Sequence, residues 1–235
     1  KKLDGVTIDG GGHTITGLAT ATGVRGPAQP SEPGDGQNCY YYSAFIGRND
    51  GALTIRNLSF DRASVAITEP ADGVASNGTS MCAVVTAVSS GALTMEGVNV
   101  SNAKVLAMQK ASALLGMPSG GSLTVKQCAV TGCEIQAYFQ VAPICGYVGI
   151  KNFPLTVDGI RLENNTTTII KQAGWNYQTY GDAVYYGHDE YYGAGKWYVG
   201  ASESAVLENQ DPVTVDGNTY SGKAADLVAG VNGYQ

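Results

Sequence analysis

The sequence predicts an all-β solenoid, in which one chain winds through about six coils with three parallel strands in each coil. Three observations predict this fold: an eleven-residue repeat, strict alternation of apolar and polar residues inside it, and an unusual composition. The 235 residues include 32 glycines, and charged residues make up only 14% of the chain. Helical bundles need more charged faces, and disordered chains lack the β-branched and aromatic residues present here, so both classes are disfavoured.

The repeat is clearest in four stretches that begin with Leu-Thr, at residues 53–63, 93–103, 123–133 and 155–165, with weaker copies at 1–11 and 213–223. Positions 1, 3, 6 and 8 of each copy are mainly apolar, which is the period-2 pattern of strands with one buried face. Positions 5 and 10 are mostly glycine or asparagine, where a bend costs little. The copies are too far apart for tight hairpins, so we expect them to stack in parallel.

Two further strands are predicted in each coil. The second strand directly follows the repeat, at residues 64–67, 104–108, 134–139 and 168–170. The third strand precedes the next copy, at residues 43–47, 82–85, 112–116, 143–146 and 204–207. The Ala-rich residues 104–115 are also compatible with a helix, although they lie in register with the strands of the other coils.

Residues 1–235 are predicted to form a single domain with long inserts at one corner, between the second and third strands. The inserts cover about residues 18–42, 68–81 and 171–203, whereas coils three and four need only a few residues there. Because insertions on one face of a solenoid often form its binding face, we expect a groove at this corner. The predicted floor consists of Gln109, Lys110, Tyr138 and Gln140, and Tyr40, Tyr41, Tyr42 and the third insert form its walls.

The third insert is rich in aromatic residues, with a cluster between residues 175 and 198. Tyrosine and tryptophan present flat faces with a hydrogen-bonding edge, which suits stacking on sugar rings or contact with a protein partner. The candidate ligand-binding residues in this insert are Trp175, Tyr185, Tyr191 and Trp197. The alternative is that the insert folds over the solenoid and its rings pack there.

Charged residues at position 4 alternate in sign from coil to coil: Asp4, Arg56, Glu96, Lys126, Asp158 and then Asp216. Neighbouring parallel strands lie about 4.8 Å apart, so this row predicts an outward charge ladder that sets the register.

Position 9 places Asp9 beside Asp61. Such a pair can raise one pKa, hold a hard cation such as Ca²⁺, or splay into solvent. No other cofactor is predicted.

Catalytic candidates are weak. His188 is flanked by Asp189 and Glu190 and follows Asp182, but adjacent residues in an extended strand point in opposite directions. A glycosidase needs two carboxyl groups about 5 Å or about 6.5–9.5 Å apart, and a lyase needs a basic residue such as Lys110 or Lys196. His13, in a run of glycines, is expected to serve structure.

Other partner classes are disfavoured. The net charge of −6 repels phosphate backbones, and the longest charge-free run, Gly73–Met95, is too rich in small polar residues to span a membrane. The five cysteines include at least one without an intrachain partner, and we expect them to be buried as small hydrophobic residues.

The opening Val6-Thr-Ile-Asp-Gly-Gly-Gly-His-Thr-Ile-Thr-Gly17 and the repeated Leu-Thr-Val resemble the pectin-lyase-like superfamily of right-handed parallel β-helices, most of all its bacterial surface and adhesin-like members. The resemblance implies a single-stranded right-handed parallel β-helix over nearly the whole chain. It specifies no chemistry, because the superfamily includes lyases, hydrolases, phage tailspikes and non-catalytic adhesins. Motifs typical of polygalacturonases are absent, so no catalytic residue is carried over.

The sequence therefore favours a secreted or cell-surface bacterial module that binds carbohydrate or a host surface protein without catalysis. A polysaccharide hydrolase or lyase of the β-helix type is the alternative, and a structural stalk or tail fragment is the second. A binding module predicts exposed aromatic faces in the groove, an enzyme predicts convergent carboxylates or a basic residue, and a stalk predicts buried rings.

Overall fold

The computed structural model describes residues 4–20, 24–26, 40–67, 80–107, 110–137, 140–146, 153–169, 213–215 and 218–220. Every regular element within these ranges is a β-strand, and nearly all strand pairs are parallel. The prediction of an all-β chain with parallel sheets is confirmed. The helical alternative for residues 104–115 is wrong, because this stretch contains strands.

The largest sheet, sheet 1, collects the eleven-residue repeats. In the described part of the chain its strands are β1 (Val6–Thr16), β6 (Leu53–Asp61), β10 (Ala92–Glu96), β11 (Asn99–Ser101), β15 (Ser122–Lys126), β16 (Ala129–Thr131), β19 (Leu155–Asp158), β20 (Arg161–Glu163), β22 (Val213–Val215) and β23 (Asn218–Tyr220). In β1 and β6 the two halves of the repeat form one continuous strand, whereas in later coils they form two.

Three smaller sheets complete each coil. Sheet 2 contains β2 (Ala19–Thr20), β7 (Ser64–Ala66), β12 (Lys104–Ala107), β17 (Glu134–Ala137) and β21 (Thr166–Ile169). Sheet 3 contains β3 (Val24–Gly26), β4 (Tyr40–Ser43), β8 (Ser80–Ala83), β13 (Lys110–Ser112) and β18 (Gln140–Ala142). Sheet 4 contains β5 (Ile46–Asn49), β9 (Thr86–Ser89) and β14 (Leu115–Pro118).

Equivalent positions of successive repeats lie side by side in sheet 1. Leu53 is opposite Leu93, Leu93 is opposite Leu123, and Leu123 is opposite Leu155. The neighbours in sheets 2, 3 and 4 likewise come from consecutive coils. This arrangement is compatible with a parallel β-solenoid.

The bends predicted at positions 5 and 10 are present as residues with positive φ. The non-glycine members are Asn57 (51°), Arg62 (52°), Asn102 (53°), Gln127 (51°) and Asn164 (53°). Glycines take the same conformation at residues 97, 132 and 159. The bend at position 5 shifts the buried face from odd to even positions, and the bend at position 10 shifts it back to odd positions, because each left-handed residue interrupts the strict alternation of side chains.

One apolar core runs through all coils from residues Val6 to Leu162. It includes Ile55, Phe60, Val100, Val130 and Val157, which are fully or almost fully buried. Cys82, Cys128, Cys133 and Cys145 are buried, as the sequence predicts. Burial raises the pKa of the Cys128 thiol to about 11, so this side chain packs as a neutral, small hydrophobic group.

The predicted third strand is wrong in its position. Residues 43–47, 82–85 and 112–116 do not form one strand each but contain a bend that separates a strand of sheet 3 from a strand of sheet 4. Coil three therefore contains five short strands instead of three. The sequence does not reveal this bend because both sides of it are buried, as at Val84 and Val85, so no polar residue marks the turn.

The predicted alignment of the first coil is also wrong. Val6, and not Lys1, lies opposite Leu53, and Asp9 lies opposite Arg56. The pairing is interrupted between Asp9 and His13, because Gly10, Gly11 and Gly12 bulge out where β6 has one residue. The charge ladder therefore begins at Asp9 and continues through Arg56, Glu96, Lys126 and Asp158.

Candidate functional site

The structure places the variable connections at one corner, between sheet 2 and sheet 3. Residues 67–79 connect β7 to β8, whereas residues 108–109 and 138–139 are enough to connect the equivalent strands of the next two coils. Within the described residues, the connections from sheet 1 to sheet 2, such as residues 62–63 and 102–103, and those from sheet 3 to sheet 4 have two residues each, and those from sheet 4 to sheet 1 have two or three. The long connections therefore emerge beside sheet 3.

Sheet 3 brings three of the predicted site residues into one row. Tyr42 is opposite Met81, Met81 is opposite Lys110, and Lys110 is opposite Gln140. We call these four residues the corner row. Neighbouring members lie about 4.8 Å apart, so the row crosses four consecutive coils as a straight line.

Two members of the corner row, Tyr42 and Met81, pack against sheet 4 in an apolar cluster separate from the main core. This corner cluster consists of Tyr42, Met81, Ala87 and Val88, with Ala44 and Met117 packed on it. Close approach depends on glycine: a Cβ at Gly116 would lie 2.5 Å from the Ala87 carbonyl oxygen and 3.3 Å from Met81 Cβ. Any larger residue at Gly116 would push β14 away from β9 within sheet 4 and crowd Met81 of sheet 3.

The described members of the corner row are buried. Tyr42 is 6% exposed and Lys110 is 7% exposed. The expectation that both present open faces to a groove is therefore wrong, because the bend between sheets 3 and 4 folds the row against its neighbours.

Arg48 stands beside Tyr42 and was not predicted from the sequence. Its Nε donates to Asp50 Oδ1 at 2.7 Å, and Ser90 Oγ lies 2.7 Å from the same oxygen. Burial lowers the pKa of Arg48, but Asp50 and the adjacent Tyr42 outweigh this effect and raise it. Arg48 Nη1 is buried and has no hydrogen-bond partner in the described residues. The sequence contains no signal for this role, since Arg48 lies outside the repeat.

The remaining groove candidates are only partly placed. Tyr40 and Tyr41 lie in β4, and Gln140 lies in β18, so their backbones belong to sheet 3. The other candidates lie outside the described residues: Gln109, Tyr138, Trp175, Asp182, Tyr185, His188, Asp189, Glu190, Tyr191, Lys196 and Trp197.

Asp9 is not beside Asp61, so the predicted carboxylate pair does not form. Asp9 Oδ1 accepts from the Gly11 backbone N–H at 3.0 Å and from Asn57 Nδ2 at 3.2 Å, while Oδ2 accepts from Arg56 Nε at 2.8 Å. These bonds, with that from Gly11 the largest, lower the pKa of Asp9. Asp9 therefore joins the bulge of β1 to β6.

Asp61 has its own set of donors at the next bend. Its Oδ1 accepts from Asn102 Nδ2 and from Ser101 Oγ, each at 2.9 Å, and Arg62 Nε lies 3.1 Å from Oδ2. These hydrogen bonds lower the pKa of Asp61, with the bond from Asn102 the largest. Among the residues that the structure describes, no three His, Cys, Asp or Glu side chains gather as a possible metal site.

Comparisons with family models, with curated proteins and with solved structures found no match. Within the described ranges, no helix has the length and apolar content needed to cross a membrane.

Proposed function

We propose that this chain is a right-handed parallel β-helix that serves as a non-catalytic, secreted or cell-surface module and binds carbohydrate at the corner between sheets 2 and 3. The observation that carries the proposal is that a long connection joins sheet 2 to sheet 3 at this corner, as between β7 and β8, beside the corner row. Insertions on one face of a solenoid commonly supply its binding face. Right-handedness is supported by the strong chiral preference of crossovers between parallel strands.

The geometry of the corner suits a polymer more than a small molecule. The strands of sheet 3 repeat at the strand spacing over four coils, so a polymer that runs across the corner beside this sheet would meet one equivalent position in each coil. Tyr40 and Tyr41 belong to β4, which lies next to the outermost strand β3 of this sheet, and tyrosine combines an apolar face with a hydroxyl.

A glycan array with the intact chain tests this proposal, followed by titration of the best ligand. Trp197→Ala, in the aromatic insert, is expected to weaken binding at least tenfold, which corresponds to about 1.4 kcal/mol. Thr94→Ala, on the outer face of sheet 1, is the matched control and is expected to leave binding unchanged. No glycan binding, or binding to a host surface protein alone, would contradict the carbohydrate assignment.

The same glycans distinguish the enzymatic alternative. Incubation with the chain should release no reducing ends and no unsaturated products if the module only binds. Product formation that is lost in Asp189→Asn or Glu190→Gln would instead favour a hydrolase, and loss in Lys196→Gln would favour a lyase.

A further inference from the structure

The edge strand β1 differs from every other copy of the repeat that the structure describes. It has one neighbour, β6, within the described residues. Its pairing with β6 follows the register of the interior strands up to Asp9 and resumes at His13. Between these points β1 has three glycines, while β6 has only Asn57.

The three glycines form a bulge that projects from the sheet. A Cβ at Gly10 would lie 2.5 Å from the Asn57 carbonyl oxygen, so the backbone at Gly10 lies in close contact with β6. Gly11 and Gly12 have φ of 59° and 80°, and nothing lies within 4 Å of a Cβ placed at Gly12. The bulge therefore extends into open space, and packing within the coil does not require it.

The bulge is held in place. The Asp9 carboxylate bridges the Gly11 backbone N–H, Arg56 Nε and Asn57 Nδ2. The two extra residues also break the regular spacing of backbone donors and acceptors on the side of β1 that faces away from β6. A regular strand therefore cannot pair with β1 beyond Asp9. Bulges and charges are the features by which natural edge strands resist pairing with other chains.

Without the bulge, β1 would be a suitable partner for another strand. Val6, Ile8, Ile15 and Leu18 are only partly buried, so a further strand would cover apolar surface. The Val6 N–H bonds to Ala52 of the neighbouring coil. Because successive residues of a strand point their backbone groups to opposite sides, the N–H groups of Thr7 and Asp9 face away from β6.

Two other outer strands also depart from the parallel stacking. In sheet 3, β3 runs antiparallel to β4, and in sheet 1, β23 runs antiparallel to β22. The strands β1, β3 and β23 therefore do not offer a second copy the regular parallel pairing that joins the interior strands.

We infer that the Gly10–Gly12 bulge, fixed by Asp9, keeps β1 from pairing with the edge of a second copy of this chain. The proposal concerns β1 and is independent of the ligand that the module binds.

The decisive variant is deletion of Gly11 and Gly12. One residue, Gly10, then remains opposite Asn57, so β1 matches β6 residue for residue, and glycine accepts the positive φ that Asn57 adopts there. Light scattering coupled to size exclusion is expected to give the mass of one chain for the unaltered protein. It is expected to give at least twice that mass for the deletion variant at the same concentration.

Thr7→Pro in the deletion background is the matched control. Proline removes an N–H that faces away from β6, as edge strands allow, and is expected to restore the mass of one chain. A deletion variant that keeps its circular dichroism and cooperative unfolding but remains a single chain would overturn the proposal.

Asp9→Ala provides a second test should the deletion variant not fold. This variant keeps the chain length and removes the carboxylate that holds the bulge, so we expect a fraction of the protein to self-associate. Adding Thr7→Pro to this variant is expected to abolish the self-association. Unchanged mass in a folded Asp9→Ala protein would contradict the role given to Asp9. Self-association of the unaltered chain that Thr7→Pro relieves would contradict the role of the bulge.

Discussion

At the scale of single residues, side-chain carboxylates join consecutive coils rather than forming a reactive pair. Asp9 bonds to Arg56 and Asn57 of the next coil, and Asp61 bonds to Ser101 and Asn102 of the coil after it. Both carboxyl groups have lowered pKa values because hydrogen-bond donors stabilise the ionised form. These residues consequently link neighbouring coils, and acid is expected to weaken that link.

Asp9 is expected to stabilise the fold only when it is ionised. Its pKa in the folded state lies below the ordinary value, so its contribution is present above the unfolded-state pKa and disappears as the pH falls through the folded-state value. Urea unfolding should give a higher midpoint for the unaltered chain than for Asp9→Asn at neutral pH. The two midpoints should converge in strong acid, and a difference that stays constant with pH would contradict this assignment.

Cys128 is expected to be unreactive in the folded protein. Burial raises its pKa to about 11, and the thiolate is the form that reacts. An aromatic disulfide reagent, followed by mass spectrometry of the labelled peptides, should leave Cys128 almost unlabelled in the native chain and label it fully in urea. Rapid native labelling of Cys128 would show that this part of the core opens readily.

At the scale of elements, the bends at positions 5 and 10 allow one repeat to contribute two strand segments to the core. Gly97 and Asn57 occupy equivalent positions and both have positive φ. Glycine and asparagine reach this region at low cost, whereas β-branched residues do so only with strain.

Substitutions at Gly97 test this explanation. Gly97→Asn should be nearly neutral, because Asn57 already adopts the same conformation one coil away. Gly97→Val should destabilise the fold by about 1–3 kcal/mol. The measurement is the free energy of unfolding in urea, and equal losses for the two variants would show that lost space, rather than φ, matters at this position.

At the scale of the whole molecule, one continuous core joins the coils, and its first coil is less well covered than its interior. Phe60 is fully buried, whereas Phe45, in an edge-to-face contact with it at 5.3 Å between ring centroids, is 37% exposed. The partly buried Val6, Ile8, Ile15 and Leu18 extend the core into the same coil.

The two phenylalanines are expected to differ in their contribution to stability. Phe60→Ala should cost about 3–5 kcal/mol, because it leaves a cavity in a closed core. Phe45→Ala should cost roughly half of that or less, because part of the ring already contacts solvent. Thermal or urea unfolding of both variants provides the comparison, and similar losses would indicate that Phe45 is covered in solution.

The sequence by itself determined the repeat, its parallel stacking, the bends at positions 5 and 10, and the corner with the long connections. These features follow from local alternation, residue preference for positive φ, and spacing along the chain. Only the tertiary structure decided the register of β1, the bend between sheets 3 and 4, and the burial of Tyr42 and Lys110. Alternation shows that a side chain points away from the core, but not whether another sheet folds back to cover it.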